Sequence, residues 1–145
     1  MADDLPVLDQ INLVARDVDA MVEFYRRLGV DAAPTVAPWN RHHRTLQMPG
    51  GLDFDIDSAT FASQWNQGRP PEQVGPLIGF RVVERETVDA IYDDLTGAGY
   101  AGQQPPYDAF WGARYAIVAD PEGNAVGIMS ESDPEMRSAP PDPDR

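Results

Sequence analysis

The sequence contains no cysteine and only two histidines, His42 and His43. Without cysteine there is no disulfide framework, no thiolate nucleophile and no thiolate metal site. The beginning of the chain, MADDLPVLDQ, has neither the basic start nor the apolar run of a signal peptide. No apolar stretch approaches the roughly 20 residues that a bilayer span needs. We therefore expect a cytoplasmic protein that does not enter the membrane.

Positive charge is also scarce, because 11 Lys and Arg face 24 Asp and Glu, for a formal net charge of −13. Such a chain repels the phosphates of DNA and RNA, which excludes nucleic acid as a partner. The acidic balance favours solubility and, as the alternative, attraction of a cationic ligand. The chain also has no Gly-x-Ser-x-Gly elbow and no glycine-rich phosphate loop before a helix, so hydrolase and nucleotide chemistry are unsupported.

The length of 145 residues and the hydrophobic content of 42% fit one domain with one sizeable core. An internal repeat divides that domain, since Val18-Asp19-Ala20-Met21 is echoed by Val88-Asp89-Ala90-Ile91. Each copy follows an apolar strand and precedes a Leu-Gly or Ala-Gly stop. The sequence therefore predicts one structural unit used twice.

Each unit is predicted to open as a strand followed by a helix. In the first unit Ile11 to Ala15 alternates as a strand, Asp17 caps the helix and Gly29 ends it. In the second unit Ile78 to Val83 is the strand and apolar residues then recur at helical spacing from Val88 to Leu95. Gly97 or Gly99 stops this second helix.

Three shorter strands are predicted behind each helix. They are 33–36, 43–48 and 52–57 in the first unit, and 101–104, 114–119 and 125–130 in the second. Turn clusters at Pro49-Gly50-Gly51 and Asp120-Pro121-Glu122-Gly123-Asn124 separate antiparallel neighbours. The fold class is therefore α+β, with two βαβββ modules. Their predicted organisation is an N-terminal extension (1–6), a first module (7–58), a linker (59–76), a second module (77–131) and a disordered acidic, Pro-rich tail (132–145).

Two segments resemble a known family. LDQINLVARDVDAMVEFYRRLGV is similar to the first strand and helix of the glyoxalase/bleomycin resistance protein/dioxygenase (vicinal oxygen chelate) superfamily, and RYAIVADPEGNAVGIMS is similar to its closing hairpin. The likeness spans about residues 7 to 131. It implies a curved mixed sheet around a ligand crevice, and often a homodimer. It does not fix the function, because this superfamily includes metal-dependent enzymes and non-catalytic antibiotic-binding proteins.

In metal-bearing members of that superfamily, four equivalent strand positions supply the ligands. The resemblance places these positions at Gln10, Asp55, Leu77 and Gly127. Catalytic divalent metals need about three protein ligands, and the side chains of Leu77 and Gly127 cannot coordinate. We therefore expect no metal and no cofactor.

Alternation along the strands predicts which side chains face the crevice. The apolar set packs on the helices, so Gln10, Asn12, Asp53 and Asp55 point the other way, although Asp53 and Asp57 could equally face solvent at an edge. Adjacent strand residues point to opposite faces, so at most one of His42 and His43 reaches the crevice. Arg81 and Arg114 could contact a ligand or form salt bridges with Asp53 or Asp55. The candidate ligand-binding residues are Gln10, Asn12, Trp39, His42, His43, Asp53, Asp55, Tyr107, Phe110, Trp111, Arg114, Tyr115 and Met129.

The aromatic residues of this set either complete the core or line a site on which a flat ligand stacks. The leading hypothesis is a binding protein that sequesters a small aromatic or cationic ligand, such as an antibiotic, without chemistry. The alternative is an enzyme of the same superfamily: a metal-dependent isomerase or dioxygenase with unrecognised ligands, or a metal-independent lyase that uses Asp55 or a histidine as general base.

Overall fold

A computed structural model describes residues 5–145 of the chain. The first module contains strand β1, helix α1 and strands β2 and β3, which span Val7–Ala15, Val18–Leu28, His43–Leu46 and Asp53–Ser58. A short helix follows, α2 (Ala59–Trp65). The second module contains strand β4, helix α3 and strands β5, β6 and β7, which span Gly75–Val82, Arg85–Gly97, Gly102–Asp108, Arg114–Ala119 and Ala125–Ser130.

The strands form one seven-stranded sheet in the order β2-β3-β1-β4-β7-β6-β5. Within the first module β1 pairs with β3 in parallel, and within the second module β4 pairs with β7 in parallel. The modules join where β1 and β4 run antiparallel at the centre of the sheet. This α+β architecture, with two related modules around one curved sheet, confirms the fold class predicted from the sequence.

The predicted helix signals are present in the structure. The Asp17 side chain accepts a hydrogen bond from the Ala20 N–H at 3.0 Å, and Gly29 ends α1 in the left-handed region with φ 104°. Helix α3 ends at Gly97, and the left-handed turn falls on Gly99 with φ 101°. A side chain at Gly29 or Gly99 would be strained at these dihedrals, which explains why each helix stops there.

Helices α1 and α3 cover one face of the sheet, as the alternation of the strands predicts. Val18 of α1 packs on Leu46 and Ile56, and Val88 of α3 packs on Val82 and Ile128. Helix α2 covers the other face, where Phe61, Ala62 and Trp65 are buried in a core that includes Val14, Leu77, Tyr115 and Ile117. Helix α2, which lies in the segment predicted as a linker, therefore packs into the concave side of the sheet.

The structure differs from the sequence prediction in the segment 33–36, which is not a strand. Only an isolated bridge between Ala32 and Leu46 remains at this edge of the first module. Pro34 lies within the segment and Pro38 lies just after it, and neither has an N–H to donate to a sheet ladder, so regular pairing cannot continue here. The second module also begins earlier than predicted, because β4 starts at Gly75.

The C-terminal segment also differs from the predicted disordered tail. Residues Pro134–Met136 form a short 3-10 helix, and the Ser138 N–H donates to the Phe110 carbonyl at 3.0 Å. The Asp133 carbonyl lies 2.4 Å from the position that a Cβ of Gly112 would take, so the segment packs directly on the glycine backbone. Backbone hydrogen bonds and this close approach keep the segment ordered, although its composition is typical of disorder.

Across the described residues, none of the helices has the length and apolar character required to cross a bilayer.

Candidate functional site

The concave face of the sheet holds a cavity of about 640 Å³. Both modules of the same chain line it: Gln10, Asn12 and Asp55 lie on the first module, and Trp111 and Met129 lie on the second. The crevice is therefore built within one chain. The predicted site residues that line it are Gln10, Asn12, Trp39, His43, Asp53, Asp55, Phe110, Trp111, Tyr115 and Met129.

One wall of the cavity is acidic, and sheet register explains why. Strand β1 pairs with β3 so that Gln10 is opposite Asp53 and Asn12 is opposite Asp55. Partners in register project to the same face, and alternate residues repeat that direction, so the polar residues of both strands converge. Asp53 stands at the exposed rim, whereas Asp55 is 7% exposed. We call Asp9, Asp53, Asp55 and Asp57 the acidic wall.

Asp9 joins this wall although strict alternation would place it on the helix side. A bulge in β1 between Leu8 and Gln10 breaks the register with β4, and Asp9 and Gln10 both line the cavity. A bulge adds one residue and redirects a side chain, which sequence alternation alone does not reveal. Asp9 accepts a hydrogen bond from Arg81 Nε at 3.0 Å.

Asp57 is the member of the acidic wall with the most hydrogen bonds. Its carboxylate accepts from Asn12 Nδ2 at 3.0 Å and from the Trp65 indole N–H at 2.8 Å. His43 Nδ1 lies 2.6 Å from the Asp57 carboxylate and carries the proton, because a carboxylate only accepts. Burial lowers the pKa of His43, but the hydrogen bond to Asp57 and the charges of Asp57 and Asp55 outweigh it, so the pKa is raised.

Asp55 and Asp53 have fewer hydrogen-bond partners than Asp57. Asp55 accepts from Gln10 Nε2 at 3.1 Å. Burial is the main reason that the pKa of Asp55 is raised, although the His43 charge and the hydrogen bonds partly oppose it. Burial also raises the pKa of Asp53, and the charge of Asp55 adds to the effect. Both carboxylates therefore sit where a negative charge is poorly compensated.

A second part of the cavity lining is an aromatic wall, which consists of Trp39, Phe61, Trp65, Phe110, Trp111 and Tyr115. Edge-to-face contacts fix its geometry, with ring centroids 5.1 Å apart for Phe110 and Trp111 and 5.5 Å apart for Trp111 and Tyr115. The Trp111 indole N–H also donates to the Met129 sulfur at 3.2 Å. Such rigid rings offer flat apolar area to a ligand at small entropic cost.

Three predicted site residues lie outside the cavity lining. Tyr107 donates from its hydroxyl to the Trp65 carbonyl at 3.2 Å, beneath the cavity floor. Arg114 projects to the helix side of β6 and forms two hydrogen bonds with Asp89 of α3, at 2.9 and 3.1 Å. The alternative that Arg81 or Arg114 pairs with Asp53 or Asp55 is therefore wrong, since their partners are Asp9 and Glu131 for Arg81 and Asp89 and Asp108 for Arg114.

His42, the third such residue, contacts the C-terminal segment. Its Nδ1 lies 2.8 Å from the Ser58 hydroxyl and its Nε2 lies 2.6 Å from the Asp144 carboxylate. Gln64 Nε2 donates to the Asp142 carbonyl at 2.9 Å, and Pro140 lines the cavity. Residues 138–145 thus form a strap, which runs from the Phe110 carbonyl of the second module to His42 of the first.

The candidate site residues predicted from the sequence omit part of the lining. The additional residues are Asp9, Asp57, Phe61, Trp65, Arg81, Ser130, Ser132 and Pro140. Alternation predicts Asp57 and Arg81 as cavity-facing, so these two carried a usable signal. Phe61 and Trp65 of α2 and Pro140 of the strap reach the cavity through long-range packing, which local sequence patterns do not encode.

The residues at the four metal positions of the superfamily do not fit a divalent metal. Gln10 and Asp55 are hydrogen-bonded to each other, and Leu77 is 1% exposed within the apolar core. At Gly127 a Cβ would lie 3.0 Å from the Tyr115 hydroxyl and 3.1 Å from Leu77 Cδ2, so these side chains fill the space that a ligand would need. Among residues 5–145 no group of three or more His, Cys, Asp or Glu is placed to hold a metal ion. At these two positions the second module thus offers no side-chain donor for a metal.

Solved structures share the fold at low sequence identity. A structure described as an NAD-dependent benzaldehyde dehydrogenase from Legionella pneumophila matches with a TM-score of 0.58 and 18% identity, over 83% of this chain and 96% of that one. The Mn(II)-bound glyoxalase from Novosphingobium aromaticivorans matches with a TM-score of 0.58 and 16% identity, over 87% and 40%. A methylmalonyl-CoA epimerase from Streptomyces coelicolor matches with a TM-score of 0.53 and 22% identity, over 94% and 99%. These three descriptions differ in activity, so the likeness shows the fold alone.

No curated protein matches the chain. The sequence profile of the Glyoxalase/Bleomycin resistance protein/Dioxygenase superfamily matches residues 7–128, which cover both modules of the fold. The paired modules, the single curved sheet and the crevice on its concave face agree with that match. The chain belongs to the Glyoxalase/Bleomycin resistance protein/Dioxygenase superfamily.

Proposed function

We propose that this chain is a small-molecule binding protein that sequesters a flat aromatic compound, such as an antibiotic, without changing it chemically. The observation that carries the proposal is the aromatic wall, because six large rings border one cavity and three of them, Trp39, Phe110 and Trp111, are not fully buried. Large aromatic side chains are costly to leave exposed to water, so covering them with a flat ligand is favourable.

The size and chemistry of the cavity support this function. A volume of about 640 Å³ lies within the range of pockets that bury a drug-sized ligand. The metal positions carry a hydrogen-bonded Gln10–Asp55 pair, a buried leucine and a glycine, which favours binding over metal-dependent chemistry. Sequestration requires affinity and enough protein to match the ligand.

The cavity is complete within one chain, so the proposed function does not require a second copy. A homodimer and a cytoplasmic location remain part of the proposal as expectations from the sequence and the family resemblance. In that setting the chain would bind a compound that has already entered the cell. Resistance would then scale with the amount of protein and not with turnover.

Tryptophan fluorescence titration tests the binding. We expect bleomycin or a planar tricyclic compound such as 9-anthracenemethanol to bind with a dissociation constant tighter than about 0.1 mM. Trp111→Ala should weaken this binding, whereas Tyr100→Ala, at an exposed residue outside the cavity, is the matched control. A panel of such compounds without affinity in that range would contradict the proposal.

A second candidate function, metal-independent proton transfer in a lyase or isomerase, is favoured by the His43–Asp57 pair. Asp57 holds His43 Nδ1 at 2.6 Å, which leaves Nε2 as the acceptor nitrogen of the neutral ring. The base would take a proton from a substrate carbon and return it to the carbanion that this step leaves. Recovery of the ligand after incubation in D₂O separates the functions: sequestration predicts an unchanged mass, whereas proton transfer predicts deuterium uptake that His43→Gln abolishes.

A further inference from the structure

The ion pairs of the cavity leave two carboxylates without a cationic partner. Among the described residues, His43 pairs with Asp57 and Arg81 pairs with Asp9, while Asp53 and Asp55 belong to no ion pair. The donor on Asp55 at 3.1 Å is the neutral amide of Gln10. Two neighbouring carboxylates therefore face the cavity without an ion-pair partner of their own.

Asn12 provides an independent observation at the same place. It is 5% exposed, lines the cavity and lies in register with Asp55. Its Nδ2 donates to Asp57, and its carbonyl Oδ1 is buried without a hydrogen-bond partner. A buried carbonyl without a donor carries a free-energy cost that a ligand N–H can remove.

Three hydrogen-bond acceptors thus lie on the first-module side of the cavity. Asp53, Asp55 and Asn12 Oδ1 can each accept a hydrogen bond, and a primary ammonium group carries three N–H donors. A neutral hydroxyl could donate only once and would leave the two charges uncompensated. The formal net charge of −13 also concentrates cations around the whole chain.

We propose that the ligand of this crevice carries a protonated primary amine, which Asp55, Asp53 and Asn12 Oδ1 bind while its ring system lies on Trp111 and Phe110. This inference rests on the proposed function and narrows its ligand to aromatic compounds that carry an aliphatic primary amine. The amine supplies the cation that the acidic wall lacks, and the ring supplies the apolar area. The adjacent ring faces add a cation–π contribution where the ammonium approaches them.

Three probes of matched shape test the inference by fluorescence titration at about pH 7, where a primary aliphatic amine is protonated. They are 9-(aminomethyl)anthracene, 9-anthracenemethanol and the N,N,N-trimethyl derivative of the amine. We expect the amine to bind at least about tenfold more tightly than the alcohol, equivalent to about 1.4 kcal/mol. The trimethyl derivative keeps the charge and loses every N–H, so it should bind more weakly than the amine.

Asp55→Asn removes one charge and keeps the shape of the side chain. In this variant we expect the affinity for the amine to fall to within about threefold of that for the alcohol, whose own affinity stays unchanged. Asp94→Asn, at an exposed residue of α3 outside the cavity, is the matched control and should leave all three affinities unchanged. Circular dichroism checks the fold, and Asp53→Asn at the rim replaces Asp55→Asn if that variant does not fold.

The outcomes separate this inference from the proposed function. If the alcohol binds as tightly as the amine, or the trimethyl derivative does, the amine site is wrong and the aromatic binding function stands. If no probe binds, the proposed function fails together with the inference. Preference for the amine that survives in both Asp55→Asn and Asp53→Asn would also overturn the site, because the charge would then be recognised elsewhere.

Discussion

The two modules follow the same chain path but present opposite chemistry to the cavity they share. On the first module, Gln10 and Asp55 project polar groups from equivalent strand positions. On the second module, the equivalent positions are Leu77 and Gly127, and Tyr115 fills the space over the glycine. These equivalent positions therefore show that the two modules can have separate roles, with apolar packing on one module and polar recognition on the other.

The separation has an energetic reason. The apolar residues of the second module stabilise the fold, because Leu77, Tyr115 and Ile117 are almost completely buried. The acidic wall opposes folding at neutral pH, since burial raises the pKa of Asp55 and that of Asp53. Residues retained against such a cost are typical of functional sites.

The largest expected effect comes from removing a buried apolar side chain of the second module. Tyr115→Ala should lower the free energy of unfolding by about 3–5 kcal/mol, because a buried ring is replaced by a cavity. Gln10→Ala, on the polar side, should cost less than about 1 kcal/mol, because one hydrogen bond is lost next to the open cavity. Urea denaturation measures both. Equal losses of unfolding free energy would mean that the apolar and the polar side of the cavity contribute equally to stability.

Gly127→Ala tests the close packing at the second module. The added Cβ would lie 3.0 Å from the Tyr115 hydroxyl, so the variant should lose about 1–3 kcal/mol of stability. In a Tyr115→Phe background the loss should be smaller, since the nearest atom is gone. A double-mutant cycle by thermal or urea unfolding measures the coupling. No coupling would show that Tyr115 does not occupy this position.

The strap that joins the modules predicts a moderate effect on ligand exchange. Deleting residues 138–145 removes Pro140 from the cavity lining and the Asp144 contact from His42. We expect the dissociation rate of a bound tricyclic probe to rise by about threefold to tenfold, as lost hydrogen bonds of about 1 kcal/mol would give. Stopped-flow fluorescence measures the rate. An unchanged rate would mean that ligands leave without displacing the strap.

The smallest expected effect is a pH dependence of the first module. The pKa of His43 is raised in the folded state, so its stabilising contribution is fully present below its ordinary value of 6.5 and is lost as pH rises through the folded-state pKa. The difference in unfolding midpoint between wild type and His43→Gln should therefore grow as pH falls from about 8.5 to about 6. Asp94→Asn serves as control, and a difference that is constant with pH would contradict the His43–Asp57 assignment.

Much of the fold could be predicted from the sequence, because each signal was local. The repeat of Val18-Asp19-Ala20-Met21 indicated two modules, Asp17 and Gly29 marked the ends of α1, and strands β6 and β7 have the predicted bounds. The exception is 33–36, where Pro34 and Pro38 interrupt the ladder that a strand would need.

The candidate site was predicted only in part. Alternation placed Gln10, Asn12 and Asp55 toward the cavity, but it could not reveal the bulge that turns Asp9 inward. The contribution of α2 and of the strap depends on contacts between residues far apart in sequence, such as His42 with Asp144. Composition indicated disorder for the tail, since it carries no information on those partners.

A crystal structure of the chain with 9-(aminomethyl)anthracene would locate the ring and the amine of the ligand in one measurement. We expect the tricyclic ring within about 4 Å of Trp111 on the second module and the amine nitrogen about 3 Å from the Asp55 carboxylate on the first. A ring bound outside the concave face, or an amine turned away from the acidic wall, would contradict this expectation.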